Sequence, residues 1–304
     1  MDTADTAVGS AFGQGSTTFH NASLTSGVFA MIGQWTSVYA TVGEFTTNGS
    51  GVITAGIADD NELDNGVGQA GGSIANSTYD LITSGINGYG SFTLASGADK
   101  DVSLLGLYMV DPAVNINDPN NTSTDLGGAL IVDLDSGLPG GMGVITPRTD
   151  TTAANFNGNY AAGFQNINQF NLNCSDCEFD RVGVFTMSAA ELSTAGVGAD
   201  DSDPLRTLTG AAGESKGDSY SSTPATVSAG YYQMVSPNSP LKATINGTSG
   251  TFDADIYQAS ATTLYWIEID TKSVFLGPIE QQGSHTGMPA ASSQWRKVKQ
   301  KNRS

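Results

Sequence analysis

Histidine, cysteine and basic side chains are all scarce in this chain, and each shortage removes a class of chemistry. The 304 residues include two histidines and two cysteines. His20 and His285 sit near the two ends, outside the patterned sequence, so no imidazole is held by a scaffold as a Ser-His-Asp or Cys-His site requires. Cys174 and Cys177 without neighbouring histidines leave a zinc tetrahedron incomplete. No stretch approaches the roughly 18 apolar residues of a membrane span. Met1–Ser16 has neither the basic nor the apolar region of an export leader. The glycine-rich run from Gly137 to Gly143 lacks a following Lys-Ser/Thr and helix, so it reads as a hairpin rather than a phosphate loop.

Charge is scarce and one-sided. Twelve bases face 30 acids for a net −18, and five of those bases lie between Arg296 and Arg303, which leaves a body of −23. Such a surface repels phosphate backbones and anionic headgroups, which argues against nucleic acid and membrane-surface partners. Charged residues are 14% of the chain and hydrophobic ones 38%, so solubility rests on Ser, Thr, Asn and Gly, as in secreted β proteins. An extracellular or cell-surface location is inferred from this composition.

What is abundant is period-two alternation punctuated by turns. Strands are predicted near 27–34, 38–47, 51–58, 73–82, 90–95, 102–110, 128–135 and 142–147, with turns at Asn48-Gly49, Asn87-Gly88 and Gly140-Gly141. No segment carries a capped helical period. The pattern also recurs: Val42–Asp60 and Val182–Asp200 share eight identities in 19 ungapped positions at an offset of 140 residues. Further out, Gly27-Val-Phe29-Ala30 resembles Gly158-Asn-Tyr160-Ala161. Ile131–Asp135 resembles Trp266–Asp270, and Gly143-Val-Ile145 resembles Gly277-Pro-Ile279. The expected fold is all-β, two tandem antiparallel meander β-barrels of lipocalin or avidin type, or β-sandwiches, with flexible termini. The expected divisions are an N-terminal arm at 1–23, repeat 1 at 24–150, a linker at 151–155, repeat 2 at 156–283 and a basic tail at 284–304. Within the strands, Val132, Leu134, Ile267 and Ile269 are expected to face the core, and Asp133, Asp135, Glu268 and Asp270 the solvent.

The run Ala40–Gly56, then Ser77-Thr-Tyr79-Asp with Gly90-Ser-Phe92-Thr-Leu94, then Ala129–Asp135, resembles a β-rich repeat of predicted surface proteins and lipoproteins of Acidobacteria and related bacteria. The resemblance implies a bacterial envelope or extracellular location and brings no activity or catalytic residues.

Few side-chain clusters suggest chemistry. Cys174-Ser-Asp-Cys177 lies among Asp176, Glu178 and Asp180, which raise thiol pKa, so a short structural disulfide is expected rather than a redox motif. Asp133/Asp135 and Glu268/Asp270 share a strand face at about 6–7 Å, but solvated strand acids are the simpler reading. Asp59, Asp60, Glu62 and Asp64 are read as an acidic loop with Ca²⁺ as the candidate ion, although Asn65 stands where the calcium register wants glycine. The leading expectation is a non-enzymatic structural or interaction protein of the bacterial cell surface, self-associating or binding other surface proteins as a subunit of an extracellular assembly. The alternative is a binding module holding a small hydrophobic ligand or glycan in a β-barrel.

Overall fold

The computed structural model describes residues 11–34, 38–62, 69–82, 85–95, 102–114, 116, 127–135, 140–149, 157–168, 177–188, 191–192, 196–202, 219–227, 230–234, 241–247, 250–269 and 274–281; between 162 and 253 the backbone alone is described. The protein is all-β and antiparallel. Apart from a short 3-10 turn at Asn21–Ser23, every regular element described is a strand.

The first sheet contains β1 (Ser26–Gln34), β2 (Val38–Thr47), β3 (Ile53–Glu62), β4 (Gln69–Ser73), β5 (Thr78–Asp80), β6 (Tyr89–Thr93), β7 (Leu104–Val110), β8 (Gly128–Asp133) and β9 (Gly141–Pro147). Each strand pairs with its sequence neighbour, except at β4/β5, and β1 pairs with β9. The gap between β4 and β5 is spanned by a bridge, Val52 to Thr78, with Ile53 N donating to Ser77 O and Tyr79 N to Gly51 O. The sheet therefore curls into a barrel-like cylinder. Tight turns follow the sequence signals: Gly49 has φ 70° and Gly51 φ 101°, while the Asn48 Oδ1 accepts from the amides of Ser50 and Val52. The predicted strand at 73–82 is two short strands separated by Asn76, whose φ is 70°.

Inward residues of alternating register fill this cylinder. Phe29, Met31, Phe45, Phe92, Leu105, Leu107 and Ile145 are all under 2% exposed. The Phe92 ring meets Phe29 edge-on at 6.1 Å and Phe45 at 5.4 Å. One end is closed by residues read from sequence as part of a flexible arm. Phe19 and Leu24 are buried in this core, and Asn87 ties the segment down, accepting from Phe19 N and donating to Thr17 O. The arm expectation is corrected for residues 11–23, because one large aromatic and three or four backbone bonds suffice to dock a short polar segment; residues 1–10 and 284–304 lie outside the described residues.

The second sheet contains β10 (Asn157–Asn168), β11 (Cys177–Ser188), β12 (Glu191–Leu192), β13 (Gly196–Ser202), β14 (Ser219–Val227), β15 (Gly230–Met234), β16 (Leu241–Gly247), β17 (Gly250–Gln258), β18 (Thr263–Glu268) and β19 (Phe275–Gln281). It also returns on itself, since β10 pairs with both β19 and β11, and β11 reaches β15 through β12. Registers match between the sheets. Val42 pairs with Asp59 and Val182 with Ala199, at the 140-residue offset on both strands. Ile131 pairs with Gly143 and Trp266 with Gly277, as the sequence alignment places them. The alignment of the opening strand is corrected by two residues. Phe29 faces Gly43, but Tyr160 faces Phe185 rather than Gly183, so Tyr160 holds the position of Gly27.

The outer faces of the two sheets pack together. Val28, Ala30, Ala40 and Val42 of the first form one buried layer with Tyr257, Ala259, Tyr265, Ile267 and Val274 of the second. Strands β1, β2 and β3 are consequently covered on both faces. The expected strand orientation is reversed at β8: Asp133 shares the inward face with Ala129 and Ile131 and is buried, whereas Leu134 is 40% exposed. Asp133 is tolerated there because the Tyr39 hydroxyl donates to its Oδ2 at 2.8 Å and the Asp135 amide to its Oδ1 at 2.8 Å. Asp135 in turn accepts from the amides of Ser103 and Leu104. The orientation differs from expectation in β18 as well: Ile267 is buried on the outer face, in the layer between the sheets, and Glu268, on the opposite face, is buried at 2% exposure.

Replacing Phe92 with Ala removes the ring shared by both aromatic contacts, and a loss of about 3–5 kcal/mol in unfolding free energy is expected. Denaturant titration measures it; a loss below about 1 kcal/mol would show that the cylinder is not packed around this ring.

Candidate functional site

The densest polar grouping lies in the seam between the sheets rather than in a loop. Alternation places Glu44 on the outer face of β2 with Val42, and Asp59 on the outer face of β3, while Asp255 and Tyr257 share the facing side of β17. Glu44 is 3% exposed, Asp59 and Asp255 are fully buried, and Tyr257 is fully buried. Arg148, just after β9, supplies the cation: one guanidinium nitrogen stands 2.8 Å from Glu44 Oε2, and Nε donates to the backbone oxygen of Gln258 at 3.3 Å. One side chain thus ties both sheets. Around it, Thr149 N donates to Ala259 O at 2.8 Å, Asn61 Nδ2 to Glu268 O at 2.6 Å, and the hydroxyls of Thr146 and Tyr265 meet at 2.6 Å.

Burial raises the Glu44 carboxyl above its ordinary 4.5, and the Arg148 charge opposes this without cancelling it. Tyr257 is pushed well above its ordinary 10.0, first by burial and then by the negative charges of Asp59, Asp255 and Glu44 around its hydroxyl. In both groups burial shifts the equilibrium toward the neutral form relative to the unfolded chain. Chemically, these groups are buried between the sheets, and a phenol held neutral beside carboxylates is a poor nucleophile.

The residues singled out in the sequence are distributed differently from the expectation. Asp59 and Asp60 belong to strand β3, not to a loop, and point to opposite faces. Asp59 enters the seam, while Asp60 is buried inside the first sheet, where Thr41 Oγ1 donates to its Oδ1 at 3.4 Å. These two carboxylates therefore do not face one common site. Glu62 ends β3, with its backbone alone described, and Asp64 lies outside the described residues. Among the described residues no three His, Cys, Asp or Glu side chains are placed to hold a metal ion. Cys177 opens β11 opposite Asn168, Cys174 lies outside the described residues, and no disulfide occurs among those described. His20 caps the 3-10 turn, its amide donating to Ser23 Oγ at 3.1 Å; His285 is outside the described residues. Trp266 is buried.

Sequence reasoning missed Glu44, Arg148 and Asp255. A clue was available: Arg148 is one of only seven bases before residue 296, and it sits at the junction of the two sheets. No family model and no curated protein matches this chain.

The seam has a pH signature. A carboxyl whose folded pKa lies above its unfolded value stabilises the fold fully below about 4.5, and that contribution is lost as pH rises through the folded value. Tyr257 acts in the same sense above 10. Arg148→Met, which leaves Glu44 buried without its cation, is expected to cost about 3–5 kcal/mol at pH 7 and distinctly less at pH 5. Adding Glu44→Gln should restore most of the loss at pH 7. Chemical denaturation of the three proteins, wild type, Arg148→Met and the double variant, at both pH values decides this, and an equal loss at pH 5 and 7 would remove Glu44 from the account.

Proposed function

We propose that this protein is a non-enzymatic structural or interaction protein of a bacterial cell surface, built from a duplicated β-unit and acting as a subunit of an extracellular assembly. The observation that carries the reading is the filled interior of the first sheet. An eight- or nine-stranded cylinder carries a ligand only when its inward side chains leave a cavity, and here Phe29, Phe45, Phe92, Met31 and Leu107 occupy it. The inward polar groups, Asp60 and Asp133, are engaged with Thr41 and Tyr39. The matched registers of β2/β3 with β11/β13 and of β8/β9 with β18/β19 support the duplication, since two unrelated sheets have no reason to pair the aligned residues with each other. The acidic, Asn- and Thr-rich composition supports the location.

The competing reading, a carrier of small apolar molecules, is tested directly. A panel of fatty acids and an environment-sensitive apolar dye should give no saturable binding, and a glycan array no signal above background. Stoichiometric, displaceable binding of any apolar ligand would overturn the structural reading in favour of the carrier.

A further inference from the structure

The outer face of the first sheet carries an apolar row that continues beyond the seam. Across β9, β8, β7 and β6, register places Val144, Leu130, Tyr108 and Tyr89 side by side. Val144 packs against the second sheet, Leu130 is half-buried, and Tyr108 is 43% exposed. The rings of Tyr89 and Tyr108 lie 5.0 Å apart at 48°. Phe12 and Ile86, the latter 64% exposed, complete with them an open groove of about 550 Å³. None of the residues lining it is charged. Asp111 directly follows the lining residue Val110, and Arg148, the one Lys or Arg whose side chain is among those described, is held in the seam by Glu44.

Such a groove on an acidic molecule suits an apolar anchor carried by a basic segment. The same chain supplies one in its sequence: Trp295 is followed by Arg296, Lys297, Lys299, Lys301 and Arg303, five charges opposite in sign to a body of −23. That segment lies outside the described residues, but the strand it follows does not. β19 ends at Gln281, whose amide donates to Thr262 O, on the hairpin where Ala259 O accepts from Thr149 N. Thr149 follows β9 by two residues, at the end of the first sheet where β7 finishes and β6 and β8 begin, which is the end that carries the groove. Three strand spacings separate β9 from β6, about 15 Å. The 14 residues from Gln281 to Trp295 extend to about 46 Å, so the indole reaches the groove with chain to spare. Residues 1–10, which lead into the wall formed by Ala11 and Phe12, offer the reverse chemistry, with two acids, no basic side chain and no aromatic.

We propose that the chain's own C-terminal segment docks in this groove, with the Trp295 indole against Tyr89, Tyr108 and Ile86 and the bases that follow it over the acidic surface. A tether long enough to span the gap holds Trp295 near the groove at an effective concentration in the millimolar range, so docking within one chain outcompetes docking between chains at ordinary protein concentrations. Burial of the indole on aromatic walls is little affected by salt, whereas the attraction of the exposed bases is screened. This contact does not depend on the assembly proposed above, which the ligand and glycan panels judge separately.

Tryptic cleavage after Arg296 and Lys297, followed by intact mass on the full chain, tests this. Wild type is expected to be cut about tenfold more slowly than Trp295→Ala, with Trp295→Phe close to wild type. Ile86→Ser, at an exposed side chain, and Tyr108→Ser should each raise the rate to a similar degree with unchanged circular dichroism. Both leave the cleaved sequence intact, so protease preference cannot account for their effect. Combining Ile86→Ser with Trp295→Ala should add nothing further. Equal rates in wild type and Trp295→Ala would overturn the proposal. Protection lost in Trp295→Ala but kept in both groove variants would overturn it too, by placing the segment elsewhere. Protection that rises with protein concentration would put the segment in the groove of a second copy and overturn docking within the chain.

Discussion

Strands β1, β2 and β3 are buried on both faces, and most of the chain's unusual features follow from that constraint. One face must fill the first cylinder and the other must meet β17, β18 and β19, so neither is free to carry the polar residues that normally alternate with apolar ones. Small aliphatic residues solve part of the problem, with Val28, Ala30, Ala40 and Val42 turned toward the second sheet while Phe29, Met31 and Phe45 fill the first. Two of the acids on these strands are matched by a neighbour's side chain. Glu44 meets Arg148, and Asp60 meets Thr41. A chain this poor in bases places one of them, Arg148, where it reaches both sheets.

This explains which parts of the fold were legible in the sequence. Strands and turns were, because period-two alternation and Asn-Gly pairs are local signals, and Gly49 takes the positive φ that its turn demands. The orientation of a strand was not always. Alternation says that Val132 and Asp133 face opposite ways, but only the fold says which way is in, and in β8 the acid faces inward because Tyr39 waits across the cylinder to donate to it. The same limit hid the seam. A row such as Asp59-Asp60-Asn61 reads as a solvated loop from composition alone, yet each of its side chains is buried, and Asn61 bonds a backbone oxygen more than 200 residues away. Long-range partners leave no trace in local pattern. The N-terminal segment failed differently: one phenylalanine, Phe19, in a polar stretch is too weak a periodic signal to mark an element, though it is enough to close a cylinder.

The sequence alignment of the two halves and the strand registers agree where loops are short and differ where they are long. Between β2 and β3, and between β11 and β13, no change of offset is needed and the registers agree. At β1 and β10 the sequence match of Phe29 with Tyr160 is off by two residues. A shift of two keeps each side chain on its own face, so alternation alone cannot detect it. The shift also swaps a glycine for a tyrosine. Gly27 leaves room for Ile145 and Phe45, which a Cβ there would meet at 2.8 and 3.1 Å, whereas Tyr160 fills its own position and sends its hydroxyl to Ala261 O.

The placement of charge within the seam bears on specificity more than on stability. Replacing a buried ion pair with well-packed apolar residues is often neutral or stabilising, so Glu44 and Arg148 add little net free energy over an aliphatic pair. Their effect is to penalise every arrangement in which one is buried without the other. Arg148 is satisfied by Glu44 and by the Gln258 backbone oxygen when the seam is closed in this register, so the pair fixes which face of the first sheet the second sheet covers.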